Sequence, residues 1–171
     1  MQTPNTLLDL GTGGGFPLLP IALALPGTHC TGLDSIGKKL KAVARIADTV
    51  QMHNVHVVTA RAEEAARDPS HREKYDIVTA RAIADLSLLL EYASPFARTG
   101  GYLVFWKSLH IDEELAKSKH IQDLLSCPLS NSLHYVLPGD WGERQLLVFQ
   151  KNKPTPHDLP RAVGLAKKTP L

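Results

Sequence analysis

Leu7-Leu8-Asp9-Leu10 runs directly into Gly11-Thr12-Gly13-Gly14-Gly15-Phe16-Pro17. Glycines following a short apolar run let the backbone turn sharply and approach a ligand where a Cβ would stand in the way. A dinucleotide-binding loop needs GxGxxG spacing, with glycine at position 16; Phe16 stands there, and the spacing is GxGxG. A GK[ST] phosphate loop is absent too. GxGxG preceded by an acid suits S-adenosylmethionine (SAM), which has no pyrophosphate. Gly11, Gly13 and Gly15 would allow close approach of its methionine moiety and ribose, and Asp9 is placed to orient the ammonium or the loop. A nucleotide is the other ligand that such a loop could serve.

Asp34 stands 19 residues after Gly15, at the end of a second β-branched and apolar run. Ligands of open α/β sheets sit outside the carboxyl ends of strands where the strand order reverses, and an acid there can accept both ribose hydroxyls. Its alternative role is to cap the next helix. Ala62 and Glu63 follow a third such run and are placed to meet an adenine edge; Glu63 and Glu64 could equally be first-turn helix acids. After a fourth run comes Thr79-Ala80-Arg81-Ala82, with Arg81 at the site mouth. A charge there calls for a carboxylate or phosphate partner. The NPPY-type or acidic motif of many DNA and small-molecule methyltransferases is missing at this place.

The elements that must carry these residues alternate. Strands are expected at Thr6 to Leu10, His29 to Asp34, Val55 to Thr59, Tyr75 to Ala80 and Gly100 to Phe105. Helices are expected at Pro17 to Leu25, Gly37 to Met52, Asp85 to Ala97 and Asp112 to Ser126. In the second helix Leu40, Val43, Ala47 and Val50 form the apolar stripe, and Lys38, Lys41 and Arg45 share another face. Two last strands, Leu133 to Leu137 and Arg144 to Gln150, flank the turn signal Pro138-Gly139-Asp140. This predicts an α/β fold of Rossmann-like type: a mostly parallel sheet with an antiparallel edge strand and helices on both faces.

At 171 residues, with 43% apolar and 21% charged residues, the chain has the balance of one globular domain. Residues 1–150 are expected to form a SAM-binding domain, and residues 151–171 a basic, proline-rich tail packing on it or extending from it. The net charge of +2 divides unevenly: the tail carries Lys151, Lys153, Arg161, Lys167 and Lys168 against Asp158. Such a tail suits a polyanion, though a solvated terminus has the same composition. Cys30 and Cys127 form no CxxC and read as two buried thiols of a reducing compartment, which points to the cytoplasm. The run from Phe16 to Leu25 is too short to cross a bilayer, so no membrane partner is expected. The eight histidines form no HExxH or other tight ligand cluster, so no metal is expected.

Taken together, these motifs resemble the RsmG (GidB) family of bacterial ribosomal RNA methyltransferases. The resemblance rests on Leu8 to Pro17, Leu33-Asp34-Ser35-Ile36-Gly37-Lys38-Lys39, Arg61-Ala62-Glu63-Glu64 and Tyr75 to Ala82. Lys107, Pro160-Arg161 and Ala166-Lys167-Lys168 extend it over nearly the whole chain. It implies methylation of guanine N7 in the decoding-region loop of 16S ribosomal RNA, in the small subunit, with SAM as donor and a monomer as the acting species. Carried over by position, Gly11, Phe16, Ala62, Glu63 and Arg81 would contact SAM. Lys38, Lys41, Arg45, Arg161, Lys167 and Lys168 would face RNA. Leu18 and Ser108 replace glycines usual in the family, and the family's N-terminal helical segment is not among these residues. A SAM-dependent enzyme with a non-RNA substrate and a catalytically silent ribosome-associated module are the competing readings. No general base is expected, since guanine N7 offers a lone pair and carries no proton.

Overall fold

The computed structural model describes residues 3–81 and 84–171. Seven strands form one sheet in the order β3-β2-β1-β4-β5-β7-β6. They are β1 (Thr6–Leu10), β2 (His29–Asp34), β3 (Val55–Thr59), β4 (Tyr75–Arg81), β5 (Ala97–Lys107), β6 (Leu129–Val136) and β7 (Glu143–Gln150). The first five are parallel; β7 runs antiparallel to both β5 and β6. The order reverses between β1 and β4, and the glycine turn leaves β1 at that point.

Side chains alternate across the sheet, so β1 sends Leu7 to one face and Leu8 and Leu10 to the other. Leu7 packs with Leu18, Leu19 and Ala22 of α1 (Leu18–Ala24) and Val43 and Ala47 of α2 (Gly37–Thr49). Leu8 and Leu10 join the larger core under α4 (Leu86–Ala93) and α6 (Lys119–Leu125). Between them in chain order lie α3 (Ala62–Ala65) and α5 (Asp112–Lys117), and α7 (Leu165–Lys168) follows β7. The thiols of Cys30 and Cys127 are free and buried, one in each core.

Several boundaries differ from expectation for identifiable reasons. Val50 lies past the end of α2 and is 55% exposed, because the helix unwinds into Gln51 at φ 56°. The helix expected over Asp112 to Ser126 is two. Ser118 bonds its hydroxyl back to the Leu115 carbonyl and receives Gln122 Nε2, offering the backbone a local alternative to continued helix. Asp85 is the cap of α4 and accepts from Leu88 N at 2.9 Å, and Pro95 closes the helix's far end. The expected antiparallel edge strand is β6, which pairs antiparallel with β7. β7 buries Leu147 and Phe149 and lies inside, while β6, mostly exposed, forms the edge. The Pro138-Gly139 turn signal stands at a 3-10 turn over Gly139–Trp141.

The tail packs against the domain. Lys151 is fully buried, donating to Glu73 Oε1 and to the carbonyls of Ser94 and Ala97, each at 2.8 Å. Burial pushes its ammonium below the usual lysine range, although Glu73 pulls the other way. Removing one member of a buried pair leaves an uncompensated charge, which costs about 3–5 kcal/mol. Urea unfolding should therefore show Glu73→Ala losing stability on that order, with Glu73→Leu/Lys151→Met regaining most of it. A single variant as stable as the parent would remove this pair from the fold's support.

Candidate functional site

Asp34 ends β2 and organises the glycine turn. Its Oδ2 accepts from Gly13 N at 2.9 Å and its Oδ1 from Ile36 N at 2.8 Å. It makes no side-chain cap to α2, whose N-cap is Ile36. The turn is further tied by Thr12 N to the Leu33 carbonyl at 3.1 Å. Gly13 and Gly15 have φ of +56° and +88°, and a Cβ on Gly15 would stand 2.8 Å from Leu19 Cδ1. The sequence motif thus requires glycine at position 15 for conformation and for helix packing alike.

Beside this turn lies a pocket of about 330 Å³ whose walls include Leu10, Gly11, Asp34, Ala62, Glu63 and Tyr92. The carboxyl ends of β1, β2 and β3 all contribute to it. Gly11, Asp34, Ala62 and Glu63 are thus brought together as sequence reasoning expected. Glu63 is spoken for, however: it is 6% exposed and its Oε1 accepts from Gly164 N at 3.0 Å. Phe16 stands outside the lining, 56% exposed beside the turn.

Asp9 points to the α1 face, beneath the turn, and is fully buried. Oδ1 accepts from Thr79 Oγ1 at 2.8 Å; Oδ2 and the neighbouring Thr12 Oγ1 have no hydrogen-bond partner among the described residues. Burial pushes the Asp9 carboxyl up to about 6. Reasoning from sequence missed Thr79, which only the β1–β4 pairing brings to Asp9, Thr12, which the turn after β1 folds back beside it, and Tyr92, whose place on α4 carries no motif. It also missed Gly32, where a Cβ would fall 2.5 Å from Leu18 Cδ2.

Arg81 parts from this group. It is exposed at the end of β4 and lines a second cavity of about 650 Å³, shared with Trp106, Lys107, Tyr135 and Arg144. Both cavities open along the same carboxyl edge of the parallel strands, on either side of the switch between β1 and β4. Lys107 is held by Glu114 and by the Ala84 carbonyl. Ala82, which completes the Arg81 motif, lies outside the described residues. Of the cations expected to face RNA, Lys38, Lys41 and Arg45 are exposed on α2, and Lys167 and Lys168 on α7. Arg161 is not available: it forks onto buried Glu91, with Nη2 to Oε2 at 2.6 Å and Nε to Oε1 at 2.9 Å. Lys151 is likewise withdrawn into the core, so two of the tail's cations serve packing. Among the described residues, no three His, Cys, Asp or Glu side chains gather as a metal ion needs, and no helix is long and apolar enough to cross a membrane.

The sheet order, the glycine turn and the acid at the end of β2 define a Rossmann-like methyltransferase fold. Solved structures agree: an antibiotic-resistance methyltransferase, Kmr, superposes with a TM-score of 0.71 at 18% identity, covering 88% of each chain. A 16S rRNA (adenine(1408)-N(1))-methyltransferase from Catenulisporales acidiphilia, solved with cosubstrate SAM, gives a TM-score of 0.70 at 16% identity, covering 89% of this chain and 87% of that one. The sequence is more specific. The profile of the GidB family, rRNA small subunit methyltransferase G, matches residues 1–135, and the chain belongs to that family. Relatives called Ribosomal RNA small subunit methyltransferase G are 41% identical in Lactobacillus johnsonii, over 98% of this chain and 70% of theirs. The Roseiflexus castenholzii relative of the same name is also 41% identical, over 99% of this chain and 72% of its own.

A carboxyl that holds its proton more tightly when folded favours the fold below its unfolded value and loses that advantage as pH rises through its folded value. For Asp9 that window runs from its ordinary 3.8 to about 6. Across it the parent should lose roughly 2–3 kcal/mol relative to Asp9→Asn, at 1.36 kcal/mol per pKa unit. Urea unfolding of both proteins at a series of pH values reads this directly; parallel profiles would show that folding leaves the proton affinity of Asp9 unchanged.

Proposed function

We propose that this chain binds SAM in the pocket at the ends of β1, β2 and β3 and transfers its methyl group to guanine N7 of small-subunit ribosomal RNA. Asp34 carries the reading. Each of its oxygens is engaged by one backbone N–H, and a carboxylate oxygen accepts more than one hydrogen bond, so it can hold the glycine turn and a ribose diol together. The unpartnered Asp9 Oδ2 and Thr12 Oγ1 beneath the turn fit a ligand bearing an ammonium group. Gly11, Gly13 and Gly15 supply a backbone surface free of side chains, and Phe16 a flanking apolar one. Ala62, Glu63 and Tyr92 form the wall suited to the purine. Family membership supports the same cofactor and an RNA substrate.

When bound, SAM supplies a methyl group already activated on a sulfonium. N7 of guanine accepts it with an in-plane lone pair and loses no proton, so the protein has no base to provide. Its task is alignment and exclusion of water, where orientation and electrostatics dominate. The second cavity suits the acceptor. Arg81 and Arg144 can meet phosphate oxygens, and Trp106 and Tyr135 offer aromatic faces to an unstacked base. Arg81 then serves the junction of donor and acceptor. Lys38, Lys41, Arg45, Lys167 and Lys168 provide outer phosphate contacts, in a protein acting as a monomer in the cytoplasm.

The reading is tested with labelled SAM and small subunits lacking the modification, where transfer of label to guanine N7 is expected. SAM bound without any transfer would overturn the enzymatic reading. Calorimetry should show Asp34→Ala weakening SAM by about 1.5–3 kcal/mol, the range for hydrogen bonds to a charged group. Unchanged affinity in a folded variant would remove Asp34 from the site. For the RNA side, Lys167→Ala/Lys168→Ala should flatten the dependence of log affinity on log salt by about two contacts' worth. SAM affinity should stay at the parent value. An unchanged slope would exclude those two lysines from the RNA contact.

A further inference from the structure

The segment that follows β7 returns across the α4 side of the sheet and is fixed there at several points. Arg72 donates to the carbonyls of Thr155, Pro156 and Leu159 at 3.1, 3.0 and 2.9 Å, and Arg67 donates to Pro160 at 2.6 Å. Arg161 then meets Glu91 with three donors: its own backbone N–H at 3.1 Å, Nε at 2.9 Å and Nη2 at 2.6 Å. Glu91 is only 1% exposed, in a helix whose other buried residues are all apolar. An apolar residue would fill that place without the desolvation cost, so a carboxylate here needs a reason beyond packing.

The neighbours of this contact supply one. Tyr92, next in sequence to Glu91, forms part of the pocket wall. Its hydroxyl is pushed up to about 12 by burial and by the carboxylates of Glu63 and Glu91, which keeps it a donor. Three residues beyond Arg161, Gly164 N reaches Glu63 Oε1 at 3.0 Å, and Glu63 is another part of the same wall. Gly164 can present that N–H because it adopts φ +76°. A four-residue stretch of the tail therefore sets the two polar side chains on one side of the pocket.

We propose that residues 161–164 form a clamp on the cofactor pocket, with Arg161 a positioning residue that acts through Glu91 on Tyr92 and through the Gly164 N–H on Glu63. The clamp rests on the reading of this pocket as the SAM site. Cations at positions 167 and 168 would meet RNA; the cation at 161 serves the cofactor instead.

The test compares the parent with Arg161→Ala and Arg161→Lys. Arg161→Ala should weaken SAM binding by calorimetry about tenfold, as coupling through one intermediary does, and raise KM for SAM by a like factor with kcat little changed. Arg161→Lys keeps the charge but not the fork and should recover only part of the loss. A purely stabilising ion pair would shift urea unfolding and leave the SAM constants alone, and that result in a folded variant overturns the clamp. Should Arg161→Ala fail to fold, hydrogen exchange on the parent decides. Adding SAM should slow exchange of the Arg161 and Gly164 amides, and unaltered exchange overturns the proposal. A parent that binds no SAM overturns the pocket reading and the clamp together, whereas SAM binding indifferent to the tail overturns the clamp alone.

Discussion

The contact of one carboxylate with two backbone N–H groups organises this molecule's working edge. Asp34 reaches from the end of β2 to Gly13 and to Ile36, and so joins the turn after β1 to the start of α2. Both connections cross the point where strands and helices exchange places, and both are short. With them formed, the glycine turn has a fixed height above the sheet, Leu18 can descend onto Gly32, and α1 seats on the core. The pocket lies between that turn and the chain that leaves β3, with the bonded acid in its wall.

Much of this was legible in the sequence, and the reasons are local. β1, β2 and β3 were expected at their observed bounds because each is a short run of apolar and β-branched residues between helical or glycine-rich stretches. That Asp34 would stand at the same site as the glycine turn was readable from spacing, since strand and helix lengths in such units vary little; its bonds to Gly13 and Ile36 were not. What escaped depends on the third dimension. Ser118 divides a helix by a hydroxyl bond that no periodicity reports. Which of the last two strands takes the edge is decided by how much apolar surface each buries, β7 more than β6. Arg81 was assigned to the cofactor, yet its strand end opens on the other cavity.

Charge was the least legible property. The tail's lysines and arginines look alike in composition, and the fold divides them. Lys151 is buried on Glu73, Arg161 is forked onto Glu91, and Lys167 and Lys168 remain in solvent. The partners lie in the α3–β4 connection and in α4, far along the chain, and only the completed sheet brings them within reach. Counting basic residues therefore overstates the surface available to a polyanion, and the cations left outside are Lys153 and the two lysines at the far end of the tail.

The tail contacts also bear on how the molecule assembles. Arg161 meets a residue 70 positions earlier, and Gly164 meets one 101 positions earlier. Contacts of such separation require loop closures whose entropic cost falls before any reward, as does the pairing of β1 with β4, itself 70 positions apart. One wall of the pocket thus depends on chain that arrives from far along the sequence, and a ligand that prefers the finished wall would hold that distant stretch in place.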